Sequence, residues 1–118
     1  MRVAVIGLGE AGSLYATGFA AQGWTVTGFD PADNLTPASV TRYEEVSDAV
    51  AEADLVLADP PYGGEPARET LRALGMPGVL RDGAKVVVEH HAKDDLPERS
   101  GTLTLARARR YGETIVAT

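Results

Sequence analysis

The chain has 118 residues, no cysteine and a formal net charge of −6, with 17 acidic side chains against 11 basic ones. Its length suits one domain of the usual ~100–150 residues, the missing cysteine excludes disulfides and thiolate metal sites, and the acidic balance disfavours nucleic acid as a main partner. Apolar runs fall short of the ~20 residues of a membrane span and the first residues lack a signal-peptide core, so a soluble, cytoplasmic protein is expected.

Arg2-Val3-Ala4-Val5-Ile6 reads as a buried parallel strand, short, β-branched and ended by glycine. A helix is predicted over residues 11–22, with Leu14, Tyr15, Gly18 and Phe19 as its apolar face and Gly23 as the C′ residue that ends it. Residues 24–29 form a second strand, closed by Asp30-Pro31 because proline cannot continue a ladder. Residues 31–38 read as a loop, and a short strand follows at about 39–43. A helical crossover needs ~10–12 residues, so this one is expected to lack its helix. The thin cover there marks the place for a homodimer contact or a mobile loop.

Residues 44–53 are predicted as a helix, with Val46, Ala49, Val50 and Ala53 at helical spacing, and 54–58 as a strand. Gly63-Gly64 is loop, Glu65 to Leu74 a helix with Pro66 in its first turn, and 75–83 a loop with Val79 and Leu80 turned inward. Residues 85–89 form another apolar strand and 90–101 an irregular polar stretch. Residues 102–108 and 113–118 are expected to pair as a hairpin around Arg109-Arg110-Tyr111-Gly112. The alternation predicts a doubly wound, Rossmann-like α/β fold in three layers, with helices on both faces of a parallel sheet. Its antiparallel C-terminal hairpin gives a methyltransferase-like strand order, 3-2-1-4-5-7-6.

Gly7-Leu8-Gly9-Glu10-Ala11-Gly12 follows the first strand and opens the first helix. In this context the glycines serve different ends. Gly7 makes the tight turn, Gly9 admits a pyrophosphate, and Gly12 lets helix and strand pack closely. The helix N-terminus adds free N–H groups and a positive dipole end. Asp30, at the end of the second strand, suits ribose hydroxyls and repels a 2′-phosphate, which favours NAD over NADP. Residues 1–13 and 26–31 resemble the coenzyme domain of the β-hydroxyacid dehydrogenases, the 6-phosphogluconate and 3-hydroxyisobutyrate group. The resemblance extends to about Ala58 and implies NAD. That family's helical second domain, with its catalytic lysine, has no counterpart in the later residues.

Asp59-Pro60-Pro61-Tyr62 ends the strand beside the first, on the rim where open α/β sheets bind ligands. Asp59 and the Pro60 carbonyl can accept hydrogen bonds from an amine, Tyr62 can stack on a ring, and the prolines stiffen the turn. Asp54 to Tyr62, then Val86-Val-Val-Glu-His90 and Arg109-Arg-Tyr-Gly-Glu-Thr114, resemble the 16S rRNA guanine-N2 methyltransferases. That resemblance covers residues 54–118 and implies S-adenosylmethionine as cofactor, with Asp59, Pro60, Pro61 and Tyr62 at the target base. The family's own cofactor loop is replaced by the dehydrogenase-type turn, and its basic RNA-contacting segment has no counterpart.

Other features read as structural. His90 and His91 face opposite sides of a strand and do not readily chelate one metal. Arg107, Arg109 and Arg110 suit a solvated edge that deters pairing, and Trp24 a packing position. The two resemblances together suggest a chimera joined near residues 54–58, engineered more readily than natural, that binds NAD without efficient catalysis. Its cofactor-binding residues are Gly7, Leu8, Gly9, Glu10, Ala11, Gly12, Asp30, Pro31 and Asp59. The alternatives are an S-adenosylmethionine-dependent amino-group methyltransferase, with Asp59, Pro60 and Tyr62 as catalytic residues, and a scaffold that binds neither cofactor.

Overall fold

Val3, Ala4 and Val5 have virtually no solvent contact, so the strand they form is covered on both faces. A strand in that position carries an unbroken apolar run instead of alternation, as Arg2–Ile6 does. In this computed structural model the backbone is described for residues 1–7, 10–30, 40–60, 65–91, 93, 96–111 and 114–117. Side chains are described for the same residues except 10–13, 109–111 and 114–117.

The strands are β1 (Arg2–Ile6), β2 (Thr25–Phe29), β3 (Val40–Arg42), β4 (Leu55–Ala58), β5 (Lys85–His91), β6 (Arg99–Ser100), β7 (Leu103–Thr104), β8 (Ala108–Tyr111) and β9 (Thr114–Ala117). The helices are α1 (Glu10–Ala21), α2 (Val46–Val50) and α3 (Glu65–Leu74). One sheet runs in the order β3-β2-β1-β4-β5-β9-β8; β6 and β7 form a separate pair. Its first five strands are parallel, and β9 and β8 close it antiparallel. With the last hairpin's strands counted as sixth and seventh, this is the order 3-2-1-4-5-7-6.

The two sheet faces hold separate cores. Val3, Val5, Val26 and Val40 pack under α1 through Ala16, Phe19 and Ala20. Ala4, Ile6, Val56, Ala58, Val86 and Val88 pack under α2 and α3 through Val50, Leu71 and Leu74, with Ala53 just beyond α2. Thr27 and His90 are the buried polar residues on that second face, and the Thr27 hydroxyl donates to the Ala49 carbonyl at 2.6 Å. The helix α1 ends in a Schellman motif: the Gly23 amide donates to Ala20 O and the Trp24 amide to Phe19 O, both at 3.1 Å. The same turn brings the Phe19 and Trp24 rings to 5.0 Å, so Trp24 is a packing residue.

Several local expectations are corrected. Leu14 is 70% and Tyr15 44% exposed, so the buried stripe of α1 is Ala16, Phe19 and Ala20. The small Ala16 lets the helix lie close on β1 and turns Leu14 outward. The second helix shrinks to Val46–Val50, and its N-cap Glu45 makes no side-chain capping bond. Val46, Ala49, Val50 and Ala53 still turn toward the core. The terminal hairpin pairs Ala108–Tyr111, not 102–108, with Thr114–Ala117. Leu103 instead pairs with Ser100 in β6–β7 and packs on the second core. Arg109 and Arg110, expected in a turn over 109–112, lie in the sheet's edge strand. The crossover loop 31–38, expected as a homodimer site, lies outside the described residues. No helix among the described residues is long and apolar enough to cross a membrane.

Candidate functional site

Parallel strands in an open sheet direct their carboxyl ends to one rim, and ligands bind there, where the strand order reverses. Here that place lies between β1 and β4. The Gly7 amide donates to Phe29 O at 2.8 Å and the Asp59 amide to Ile6 O at 3.3 Å, which ties the ends of β2, β1 and β4 together. Gly7 has φ +96°, and a Cβ on it would lie 3.3 Å from the Asp59 carbonyl oxygen. The positive φ favours glycine, and the missing side chain lets the Asp59 carbonyl pack close against the turn at the centre of the rim.

The remaining residues of the glycine turn are placed less completely. Leu8 and Gly9 lie outside the described residues, as do Pro31, Pro61 and Tyr62. Glu10, Ala11 and Gly12 form the first turn of α1. Asp30 is half-buried just past β2, and its carbonyl accepts a hydrogen bond from Arg42 Nη2 at 3.0 Å. Pro60 is half-buried beside Asp59. The rim thus brings together Gly7, Asp59 and Pro60, with Asp30 one strand further out.

A cleft of about 270 Å³ opens next to this rim on the α1 face. Its floor is Val5, Leu57 and Val87, which neighbour one another across β1, β4 and β5. Tyr15 and Phe19, one helical turn apart on α1, supply a wall. Asp59 and Glu89 supply the polar end. The register pairs Ala58 with Val88, so the next residues, Asp59 and Glu89, stand side by side. Alternation puts both on the face of Leu57 and Val87.

Their electrostatics follow from that placement. Burial pushes the Asp59 carboxyl above its ordinary range. Glu89 is raised first by burial and then by the Asp59 charge. The Tyr15 phenol is raised chiefly by Glu89, then by burial and Asp59. Such a group of mutually perturbed side chains in a cleft is a candidate functional site. Glu89 and Tyr15 are not among the site residues that the sequence pattern points to. A charged residue within the apolar run of β5 was the available signal, but it pointed to Asp59 only once β4 and β5 had a register.

The adjacent histidines serve their own strand. His90 is buried on the opposite face with Nδ1 3.0 Å from His91 O, a contact that needs a proton on that nitrogen. His91 Nδ1 accepts from the Lys93 amide at 3.0 Å.

The sheet order, with its antiparallel closing hairpin, defines a methyltransferase-like Rossmann fold. The family model described as conserved hypothetical protein 95 matches residues 19–118, and the chain belongs to this methyltransferase-like family. The match begins within α1, so the family pattern runs across the junction expected near residues 54–58. Among solved structures, a conserved hypothetical protein from Streptococcus pyogenes is similar at TM-score 0.74 and 23% identity, over 98% of this chain and 82% of its own. A protein of Escherichia coli described as a methyltransferase, yhhF, is similar at TM-score 0.72 and 18% identity, over 98% and 72%. The 3-hydroxyisobutyrate dehydrogenase of Mycobacterium tuberculosis is similar at TM-score 0.58 and 25% identity, over 76% of this chain but 31% of its own. No curated protein matches the chain.

Proposed function

We propose that the chain is an S-adenosylmethionine-dependent methyltransferase acting on an amino group, with the cofactor on the β1–α1 turn and the amine at Asp59. The observation that carries this reading is the junction of Gly7 with Asp59: the cofactor turn and the amine acceptor share one rim. The methyltransferase-like family and the antiparallel closing hairpin support it. They weigh more than the dehydrogenase-type glycines, which both cofactor classes can use as a tight turn at a helix N-terminus.

The β1–α1 turn fits such a cofactor, since Gly7 at φ +96° ends β1 at the switch point and carries no side chain toward the rim. Asp30 would accept hydrogen bonds from its ribose hydroxyls, the role an acidic strand end plays for any adenosine. When bound, the cofactor supplies an electrophilic methyl group. Asp59 accepts hydrogen bonds from the amine and points its lone pair, and the α1 helix excludes water from one side of the cleft. This is catalysis by orientation, which needs no proton donor on the rim, and the proton shed by the methylated nitrogen would pass to the Asp59 carboxylate or to water. Tyr62 would stack on the acceptor, as the resemblance to the guanine-N2 methyltransferases implies.

A second reading, a module that binds NAD without turnover, is favoured by the spacing of Gly7, Gly9, Gly12 and Asp30 and by the likeness to dehydrogenases. Transfer of a labelled methyl group to a panel of amines separates the two. The methyltransferase reading expects transfer that Asp59→Ala abolishes. No transfer, together with tight NAD binding, would overturn it.

A further inference from the structure

Beyond the reacting group, the cleft on the α1 face has a composition that selects a ligand. Its walls are apolar or aromatic except at one end, where Asp59 and Glu89 stand together with the Tyr15 hydroxyl. None of its lining residues is a cation. The ion pairs among the described residues use Glu52, Asp54 and Glu65, and leave Asp59 and Glu89 out. Two partly buried carboxylates side by side, without a counter-charge among the described side chains, hold an unfavourable field, and burial strengthens it. The group that relieves it is a cation with N–H donors, because each carboxylate oxygen is an acceptor. An anionic ligand would deepen the repulsion, and the chain's net charge of −6 adds to that.

We propose that this cleft binds a small organic ammonium ligand, its charged head between Asp59 and Glu89 and a flat apolar body over Val5, Leu57 and Val87 beside Phe19. The cleft volume of about 270 Å³ lies just under the ~300–1,000 Å³ typical of small-molecule pockets, which suits one ring with a short amine arm. Glu89 is the specificity-determining residue, because it doubles the negative charge at the head position. The inference rests on the methyl-transfer reading only where it would call this ligand the acceptor, which would first give a proton to Asp59 or Glu89; binding itself needs no cofactor.

The test uses the full chain without cofactor, titrated with 2-phenylethylamine and separately with 3-phenylpropionate, a carboxylate of nearly the same shape. Binding is followed by two-dimensional NMR. Saturable binding of the amine is expected, with shifts centred on Val5, Leu57, Val87 and Glu89, and none for the carboxylate. Glu89→Gln should weaken the amine by about tenfold, the size of one partly buried charge contact. Glu89→Lys should reverse the preference, an outcome that loss of structure cannot imitate. Equal binding of both probes would show a merely apolar cleft. No amine binding at millimolar concentration would show that Asp59 and Glu89 settle their repulsion by holding a proton. Either result overturns the proposal, and neither bears on whether the chain binds S-adenosylmethionine.

Discussion

The Gly7 Cα faces the carbonyl oxygen of Asp59 so closely that an added Cβ would come within 3.3 Å of it. At φ +96° a side chain is also strained by the backbone itself. Gly7→Ala should therefore cost about 1–3 kcal/mol of stability. It should also push the β4 end away from β1 and abolish cofactor binding. Chemical denaturation and calorimetry together check this. Unchanged affinity in a folded Gly7→Ala variant would show that the β1–α1 turn is not where the cofactor sits.

Asp59 should reduce stability at neutral pH. Burial raises its folded pKa above the unfolded value, so its favourable contribution is present in acid and lost as pH rises through the raised pKa. Glu89 acts in the same direction. Asp59→Asn should raise the thermal midpoint at pH 7 and leave it unchanged near pH 3. A variant less stable at both pH values would mean that the carboxylate has a stabilising partner.

Asp54 has the opposite sign. It sits at the other end of the sheet, where its carboxylate accepts the Arg2 amide at 2.8 Å and pairs with the Arg81 guanidinium. The backbone bond from Arg2, then the Arg81 charge, hold its pKa below the usual carboxylate value. Its contribution is present above the unfolded pKa of about 3.9 and fades as pH falls through the lower folded value. Asp54→Asn should lower the thermal midpoint at pH 7 and flatten the acid limb of the stability curve. An acid limb identical to that of the parent chain would contradict this.

Gly75 and Gly101 hold the small β6–β7 hairpin against the end of α3. A Cβ on Gly75 would run into the Ser100 carbonyl, and one on Gly101 into the Gly75 carbonyl. Thr102 adds amide and hydroxyl bonds to that same Gly75 oxygen, at 2.8 and 3.1 Å. Gly75→Ala should destabilise by about 1–3 kcal/mol, as overpacking does. It should speed amide exchange at Thr102 while β1 stays protected. Uniform loss of protection across the sheet would show that the hairpin is not a separate clamp.

Where the chain has one apolar run between glycine, proline or acidic stops, its elements are legible in the sequence. Arg2–Ile6 falls on its predicted bounds for that reason, and Glu65–Leu74 does so because Pro66 marks its first turn and Gly75 its end. The five parallel strands followed by an antiparallel pair also follow from the alternation of elements. Local pattern does not choose between partners, however. Leu103 alternates as well with Leu105 as any strand residue, and only the core under α3 decides that it pairs with Ser100. Leu14 looks as apolar as Phe19, yet the fit of Ala16 against β1 turns it to solvent. Within the site, Gly7, Asp30, Asp59 and Pro60 are readable as strand-end residues. Glu89 and Tyr15 join them only through register and helix placement, which are tertiary facts.

Cofactor identity is tested most directly by one calorimetric titration of the purified chain, against S-adenosylmethionine and against NAD. Saturable heat is predicted with S-adenosylmethionine, removed by Asp30→Ala, and little with NAD. Saturable heat with NAD and none with S-adenosylmethionine, from protein shown to be folded, would contradict the methyl-transfer reading.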